Sequence, residues 1–148
     1  GLRCPCGARG CWDLTVDGRA LARHLGDRAP ADPIGYVLDL AARRDTLSRS
    51  AFKKVAASLG RGIGALVNLH DPEAVTLGGV AALLRAPALE AFDGAFRDAL
   101  MAFRHASTPP ERHALHGEDG PPQGAVLAGL DHVTTPDALT AWVGRRRD

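Results

Sequence analysis

The sequence predicts an α/β fold that is rich in helices and carries few short strands, and three observations lead there. Apolar residues recur at three-to-four spacing through most of the chain, the period of a helix with one buried face. One short run, Ala74-Val75-Thr76-Leu77, has strand character and stops at Gly78-Gly79. A helical pattern resumes directly after it, and a strand, a glycine turn and a helix in succession mark an α/β layout. With 148 residues, 45% of them hydrophobic, the chain can bury one substantial core and suits one domain or a large piece of one.

Residues 12 to about 25 read as the first helix, with Trp12, Val16, Ala20 and His24 four apart and Leu14 and Leu21 near that face. Gly18 weakens the pattern and Gly26 supplies a stop. Residues 27–32 are polar and include Pro30, so they form a loop. Pro33 suits the first turn of a second helix, whose apolar stripe is Ile34, Val37, Leu38 and Ala41. Ser48 or Ser50 is the expected cap of a longer helix carrying Phe52, Val55, Ala56, Leu59, Ile63, Leu66, Val67 and Leu69. Its glycines, Gly60, Gly62 and Gly64, would each cost about 1 kcal/mol relative to Ala in an exposed helix. Accepting three of them implies close backbone approach, either to another helix or to a ligand.

Asp71-Pro72 ends that helix, because the residue before proline is driven out of the helical region. After the strand and its glycines, Leu83, Leu84, Leu89, Phe92, Phe96, Leu100 and Phe103 carry a helix through much of the stretch up to His105. Thr108-Pro109-Pro110 breaks it. Residues 111–120 are the least legible, with room for a short strand near 112–115. Pro121-Pro122 opens a helix from 123 to about 130, and Thr135 caps a last one, residues 137–143, with Pro136 at its first position. No internal repeat or low-complexity tract occurs.

Eighteen Lys and Arg face seventeen Asp and Glu, leaving a net charge of +1 and no global basic field for a nucleic-acid backbone. The cluster Arg145-Arg146-Arg147 reads as a solvated, frayed tail. No apolar run approaches a membrane span and no signal segment opens the chain, so a soluble, cytoplasmic protein with reduced thiols is expected.

All three cysteines fall in the first eleven residues, in Cys4-Pro5-Cys6-Gly7-Ala8-Arg9-Gly10-Cys11. An odd count argues against a pure disulfide framework, and a bridge within C-x-C is strained. Incidental buried thiols are scattered rather than clustered. Thiolates at this spacing, in a loop with two glycines, can converge on one soft tetrahedral cation, and structural zinc is the favoured occupant. Such a site takes four ligands, so either a histidine joins these three or further sequence does. The loop begins almost at Gly1, and a chain lacking its N-terminal part is expected.

The stretch Cys4–Asp13 resembles the cysteine motif of the ROK family of bacterial sugar kinases and sugar-responsive repressors, C-x-C-G-x-x-G-C-x-E. Leu66-Val67-Asn68-Leu69-His70-Asp71-Pro72-Glu73, followed by the strand and Gly78-Gly79, is similar to a second family landmark. Ala57-Ser58-Leu59-Gly60 and Gly124-Ala125-Val126-Leu127-Ala128 match as well, so the resemblance runs in order along nearly the whole chain. It implies a single C-terminal lobe, 1–148, of an actin-like, ribonuclease-H-like protein: a zinc loop over 1–13, a helical region over 14–70, and the strand, glycine turn and closing helices over 71–148. It implies Cys4, Cys6 and Cys11 as zinc ligands, with a fourth from a histidine in an upstream Glu-x-Gly-His motif. None of the six histidines here has that context, and His24, the nearest, is not expected to serve.

The resemblance also implies roles for Asp13 and for Gly78 and Gly79. Asp13 stands where the family's glutamate touches sugar hydroxyls, and it is one methylene shorter. Gly78 and Gly79 would lie near a nucleotide, although Val80 replaces a third glycine common in the kinases. Two functions follow. The first is the sugar-binding and dimerising effector region of a ROK-type transcriptional regulator, which would reach DNA only through a domain absent from this chain. The second is part of an ATP- and Mg2+-dependent sugar kinase whose catalytic aspartate lies upstream, so no residue of this chain is expected to be catalytic. A zinc-stabilised structural module without a sugar site is the third and blandest.

Overall fold

The computed structural model describes residues 1–145, leaving aside the Glu118 side chain; Arg146 and Arg147 of the basic tail lie outside the described residues. Seven α-helices and a two-stranded parallel sheet make up the fold among these residues. Helix α3 (Thr46–His70) is its axis, about 37 Å long at the rise of an α-helix. One face of it, through Phe52, Val55, Leu59, Ile63 and Val67, is buried in the main core. Helices α1 (Gly18–Leu25) and α2 (Pro33–Arg43) add Leu21, Val37 and Leu40 to that core. Helix α5 (Leu89–Ala99) adds Phe92 and Phe96, whose rings stack 6.1 Å apart.

The glycine puzzle on α3 resolves as close packing. A Cβ at Gly60 would stand 2.4 Å from the Phe92 carbonyl oxygen, and one at Gly64 would stand 2.7 Å from the Ala99 Cβ. Gly60 and Gly64 are four apart, hence on one face, and they let the α5 backbone lie directly against α3. Gly62 faces elsewhere and is taken up below. Gly18 likewise opens α1 where a side chain would strike the Pro33 carbonyl at 2.0 Å.

Several boundaries differ from expectation, each for a local reason. Residues Trp12–Thr15 form a 3-10 turn, and α1 begins only at Gly18 because the Asp17 carboxylate accepts the Ala20 N–H at 2.7 Å and caps it. Helix α3 is capped by Asp45, not by Ser48 or Ser50; Ser48 donates its own N–H and hydroxyl to the Asp45 carboxylate. The long helix expected up to His105 is broken in two. Helix α4 (Val80–Arg85) stops before a 3-10 turn at Ala86–Ala88, where Pro87 lacks the N–H that α-helix propagation requires. Helix α5 stops at Ala99, where Asn68 of α3 intervenes: its Nδ2 donates to the Ala99 carbonyl at 2.8 Å and its Oδ1 accepts the Met101 N–H at 3.0 Å. Phe103, read as an apolar helical position, is 67% exposed in a third 3-10 segment, Ala102–Ser107.

Strand β1 (Val75–Leu77) pairs in parallel with β2 (Glu111–His113), Val75 opposite Glu111 and Leu77 opposite His113. The Arg85 guanidinium ties this pair to the helices, lying 2.8 Å from Glu111, 3.0 Å from Asp93 and 5.0 Å from the centre of the Phe92 ring. Burial, outweighing Arg85, holds the Glu111 carboxyl above its ordinary range. Helices α6 (Gly120–Val133) and α7 (Pro136–Gly144) close the chain, with Thr135 and Pro136 in the expected positions and no buried residue in either. No helix among the described residues is long and apolar enough to cross a membrane.

Two outcomes follow for stability. Gly60→Ala should lose about 1–3 kcal/mol in urea denaturation through overpacking. Gly94→Ala, at a position on α5 with open space around it, should gain up to about 1 kcal/mol. Because the fold raises the Glu111 pKa, its contribution is complete below the unfolded carboxyl range and is lost as pH rises through the folded value. The native protein should therefore lose stability relative to Glu111→Gln as pH rises from the unfolded carboxyl range toward neutrality, as read in paired melts.

Candidate metal centre and glycine turn

The first eleven residues build a compact loop from their own backbone. The Cys4 N–H donates to the Ala8 carbonyl at 2.9 Å, the Gly7 N–H to the Cys4 carbonyl at 3.0 Å, and the Gly10 N–H to the Leu2 carbonyl at 2.9 Å. Gly7 and Gly10 carry φ values of 93° and 73°, a region that side chains avoid, and so let the chain double back twice within seven residues. This brings the Cys4, Cys6 and Cys11 sulfurs within 4.8 Å of one another. Cys6 and Cys11 are 3.6 Å apart, close to the edge of about 3.8 Å expected between thiolates on one tetrahedral zinc.

The thiols polarise one another. The Ala8 backbone N–H, and then the Cys4 and Cys11 thiols, hold the Cys6 thiol below its ordinary range. The Cys11 thiol is pushed up to about 11, first by its hydrogen bond to Cys6 and then by Cys4. Cys6 is thus the easier of that pair to ionise, and a divalent cation is the species that would let the cysteines ionise together. The donor set and its spacing fit a soft metal ion such as zinc. His24 is not part of the cluster; it lies in a groove with Lys53 and Lys54.

One contact fixes this loop to the core, and sequence reasoning missed it. The Trp12 indole lies over Gly62, where a Cβ would stand 2.0 Å from the ring, and its Nε1–H donates to the Ser58 carbonyl at 2.9 Å. An aromatic beside a metal loop and a glycine in mid-helix were both visible in the sequence, but nothing there paired them across 50 positions. A second link runs from the Arg23 guanidinium to the Leu14 carbonyl. Asp13, next to the anchor, has its side chain exposed, with no hydrogen-bond partner or ion pair among the described residues.

Gly78 and Gly79 belong to a different place, the β1–α4 junction. Gly79 has φ 55° and ψ −142°, which only glycine adopts readily, and the space where its Cβ would stand is open. Its N–H is not free, since it donates to the Gly117 carbonyl at 3.2 Å. On Gly78 a Cβ would meet Ala114 at 3.0 Å. The cysteines are therefore brought together with Asp13 beside them, and the glycines form a separate turn beyond the C-terminus of α3.

Comparison with known proteins gives this arrangement its context. Residues 1–129 match the ROK family, and the chain belongs to that family. A glucokinase from Streptomyces coelicolor is 32% identical over 97 residues, covering 53% of this chain and 31% of the relative. A xylose repressor from Bacillus spizizenii is 31% identical over 77 residues, covering 52% of this chain and 20% of the repressor. The fold is similar to that of a ROK glucokinase from Streptomyces griseus in complex with glucose and AMPPNP, with a TM-score of 0.64 and 25% identity over 80% of this chain and 44% of that one. The chain spans less than half the length of each of these relatives.

Gly62→Ala should expel the indole. In a Trp142→Phe background, Trp12 emission is expected to move to longer wavelength with little loss of helix content; an unchanged spectrum would refute the anchor.

Proposed function

We propose that this chain is the sugar-binding effector region of a ROK-type transcriptional regulator of carbohydrate metabolism, with a structural zinc ion organising the sugar site. The observation that carries this reading is three sulfurs within 4.8 Å of one another, two residues from the exposed carboxylate of Asp13. Bound zinc would be held by Cys4, Cys6 and Cys11, and its part would be to cross-link the loop. Asp13 would accept hydrogen bonds from sugar hydroxyls. Being one methylene shorter than the family's glutamate, it would reach a hydroxyl held at about 2.7 Å from that glutamate through a bridging water. Trp12 keeps the loop seated on α3 so that the carboxylate holds a fixed position.

The regulator reading is supported at the glycine turn. The Gly79 N–H is spent on Gly117, and the branched Val80 side chain follows at once, both unfavourable to a nucleotide lying against the backbone. Sugar binding would act by population shift, favouring one arrangement of a homodimer whose DNA contacts lie outside these residues. A second reading, part of an ATP- and Mg2+-dependent sugar kinase, is supported by the likeness to a glucokinase that holds glucose and AMPPNP. Gly78 and Gly79 would then line the nucleotide cleft, and positioning would supply most of the catalysis.

Elemental analysis of the reduced protein is expected to give about one zinc per chain, with affinity rising from pH 6.5 to 8 as thiol protons are displaced. Titration with hexoses, xylose and N-acetylhexosamines is expected to show saturable binding that Asp13→Ala weakens by roughly tenfold, without ATP turnover. Sugar-dependent ATP turnover would install the kinase reading instead. A zinc-loaded protein that binds no sugar would leave only a structural module, and a metal-free one would sink the site.

A further inference from the structure

We propose that the groove between α1 and α3 binds the phosphate groups of a small phosphorylated ligand, at a site separate from Asp13. The groove has a volume of about 430 Å³ and is lined by His24 of α1 and by Lys53, Lys54, Ala57, Ser58 and Arg61 of α3. No carboxylate lines it. The ion pairs among the described residues engage Arg19, Arg85 and Arg104, and none engages these cations. In a chain whose charges balance to +1, this face gathers Lys53, Lys54 and Arg61 beside His24, with Arg23 near enough to act on that imidazole.

Like charges crowded on neighbouring helical turns repel, and an anion seated between them would offset that repulsion. His24 reports the local field. Partial burial, then Lys54 and Arg23, hold its pKa below the ordinary range, and no acidic group opposes them. The cationic stretch from Lys53 to Arg61 covers about 12 Å of helix, enough for one or two phosphate groups. A nucleic-acid backbone gains affinity by engaging many more phosphates along an extended stripe.

Ser58 gives the groove a consequence. Its Oγ accepts a hydrogen bond from Arg61 at 3.2 Å, which leaves its own O–H to donate to an anion. Its carbonyl holds the Trp12 indole. A phosphate drawn against Ser58 and Arg61 therefore presses on the residue that anchors the cysteine loop, and the two sites would be coupled through less than one turn of α3.

Calorimetric titration of the intact protein with inorganic pyrophosphate at low salt is expected to show saturable one-to-one binding that weakens as salt is raised. Lys53→Ala/Lys54→Ala and, separately, Arg61→Ala should each weaken it by about tenfold or more, whereas Arg97→Ala on the far helix should not. Lys53→Gln/Lys54→Gln should behave like the alanine pair, which separates charge loss from any loss of folding. Competition by a hexose 6-phosphate or by ATP shows whether a phosphomonoester or a polyphosphate is the better source of the anion. Trp12 emission in the Trp142→Phe background should shift on adding pyrophosphate. Absence of saturable binding, or equal binding by the lysine variants, would overturn the site. A short DNA duplex bound more tightly than pyrophosphate with the same lysine dependence would overturn the small-ligand assignment. Because neither sugar nor zinc enters the titration, failure here and failure of the sugar reading can be told apart.

Discussion

The cysteine loop and α5 both pack on α3, and α3 can receive them only because it lacks side chains at three positions. Gly60 and Gly64 let α5 lie against it at backbone distance, and Gly62, on another side, admits an indole ring. Three glycines within five residues would weaken an isolated helix by about 3 kcal/mol in propensity alone. The helix persists because the apolar positions beside them, Phe52, Val55, Leu59, Ile63 and Val67, are buried almost completely. Tertiary burial thus supports a segment whose intrinsic preference is poor, and the poor preference is what makes room for the contacts.

The same helix positions both halves of the candidate site. Trp12 seats the cysteine loop at Ser58 and Gly62, near its middle. At its far end Asn68 closes off α5, Arg104 pairs with Asp71, and the chain then enters β1 and the glycine turn. A rotation or tilt of α3 would therefore displace the loop and the turn together. That is the mechanical requirement for a ligand at one place to be felt at another, and it holds whether the response is a domain closure in a kinase or a dimer rearrangement in a regulator.

The sequence was most legible where one residue type has one physical use. The spacing of α3, the stop at Asp71-Pro72, Thr135 and Pro136 at the start of α7, and the meeting of Cys4, Cys6 and Cys11 all follow from local rules. It was least legible where a partner lies far away along the chain. Asn68 ends α5 from 31 residues off, so the apolar period running on toward Phe103 gave no hint of the break. Asp45 and Ser48 are both good capping residues, and only the geometry shows that Ser48 donates rather than caps. In α6 and α7 the apolar residues Val126, Leu130 and Trp142 remain about half exposed, so their pattern predicts helices correctly without implying a core.

Asp13 and Gly79 show why family membership alone leaves activity open. Membership rests on a match over residues 1–129, a span that holds the cysteine loop, the long helix and the strand that ends in glycines, and relatives of both kinds, a glucokinase and a xylose repressor, match this chain. The features on which the regulator reading is proposed are small against those elements. One methylene is missing at Asp13, a backbone N–H at Gly79 is engaged by Gly117, and a β-branched residue stands at position 80. None of these disturbs burial or helix packing, so each can change without cost to the fold. Under the proposed sugar-binding reading, a bridging water would compensate for the first change, whereas a nucleotide held against the backbone would have no comparable substitute for the second and third.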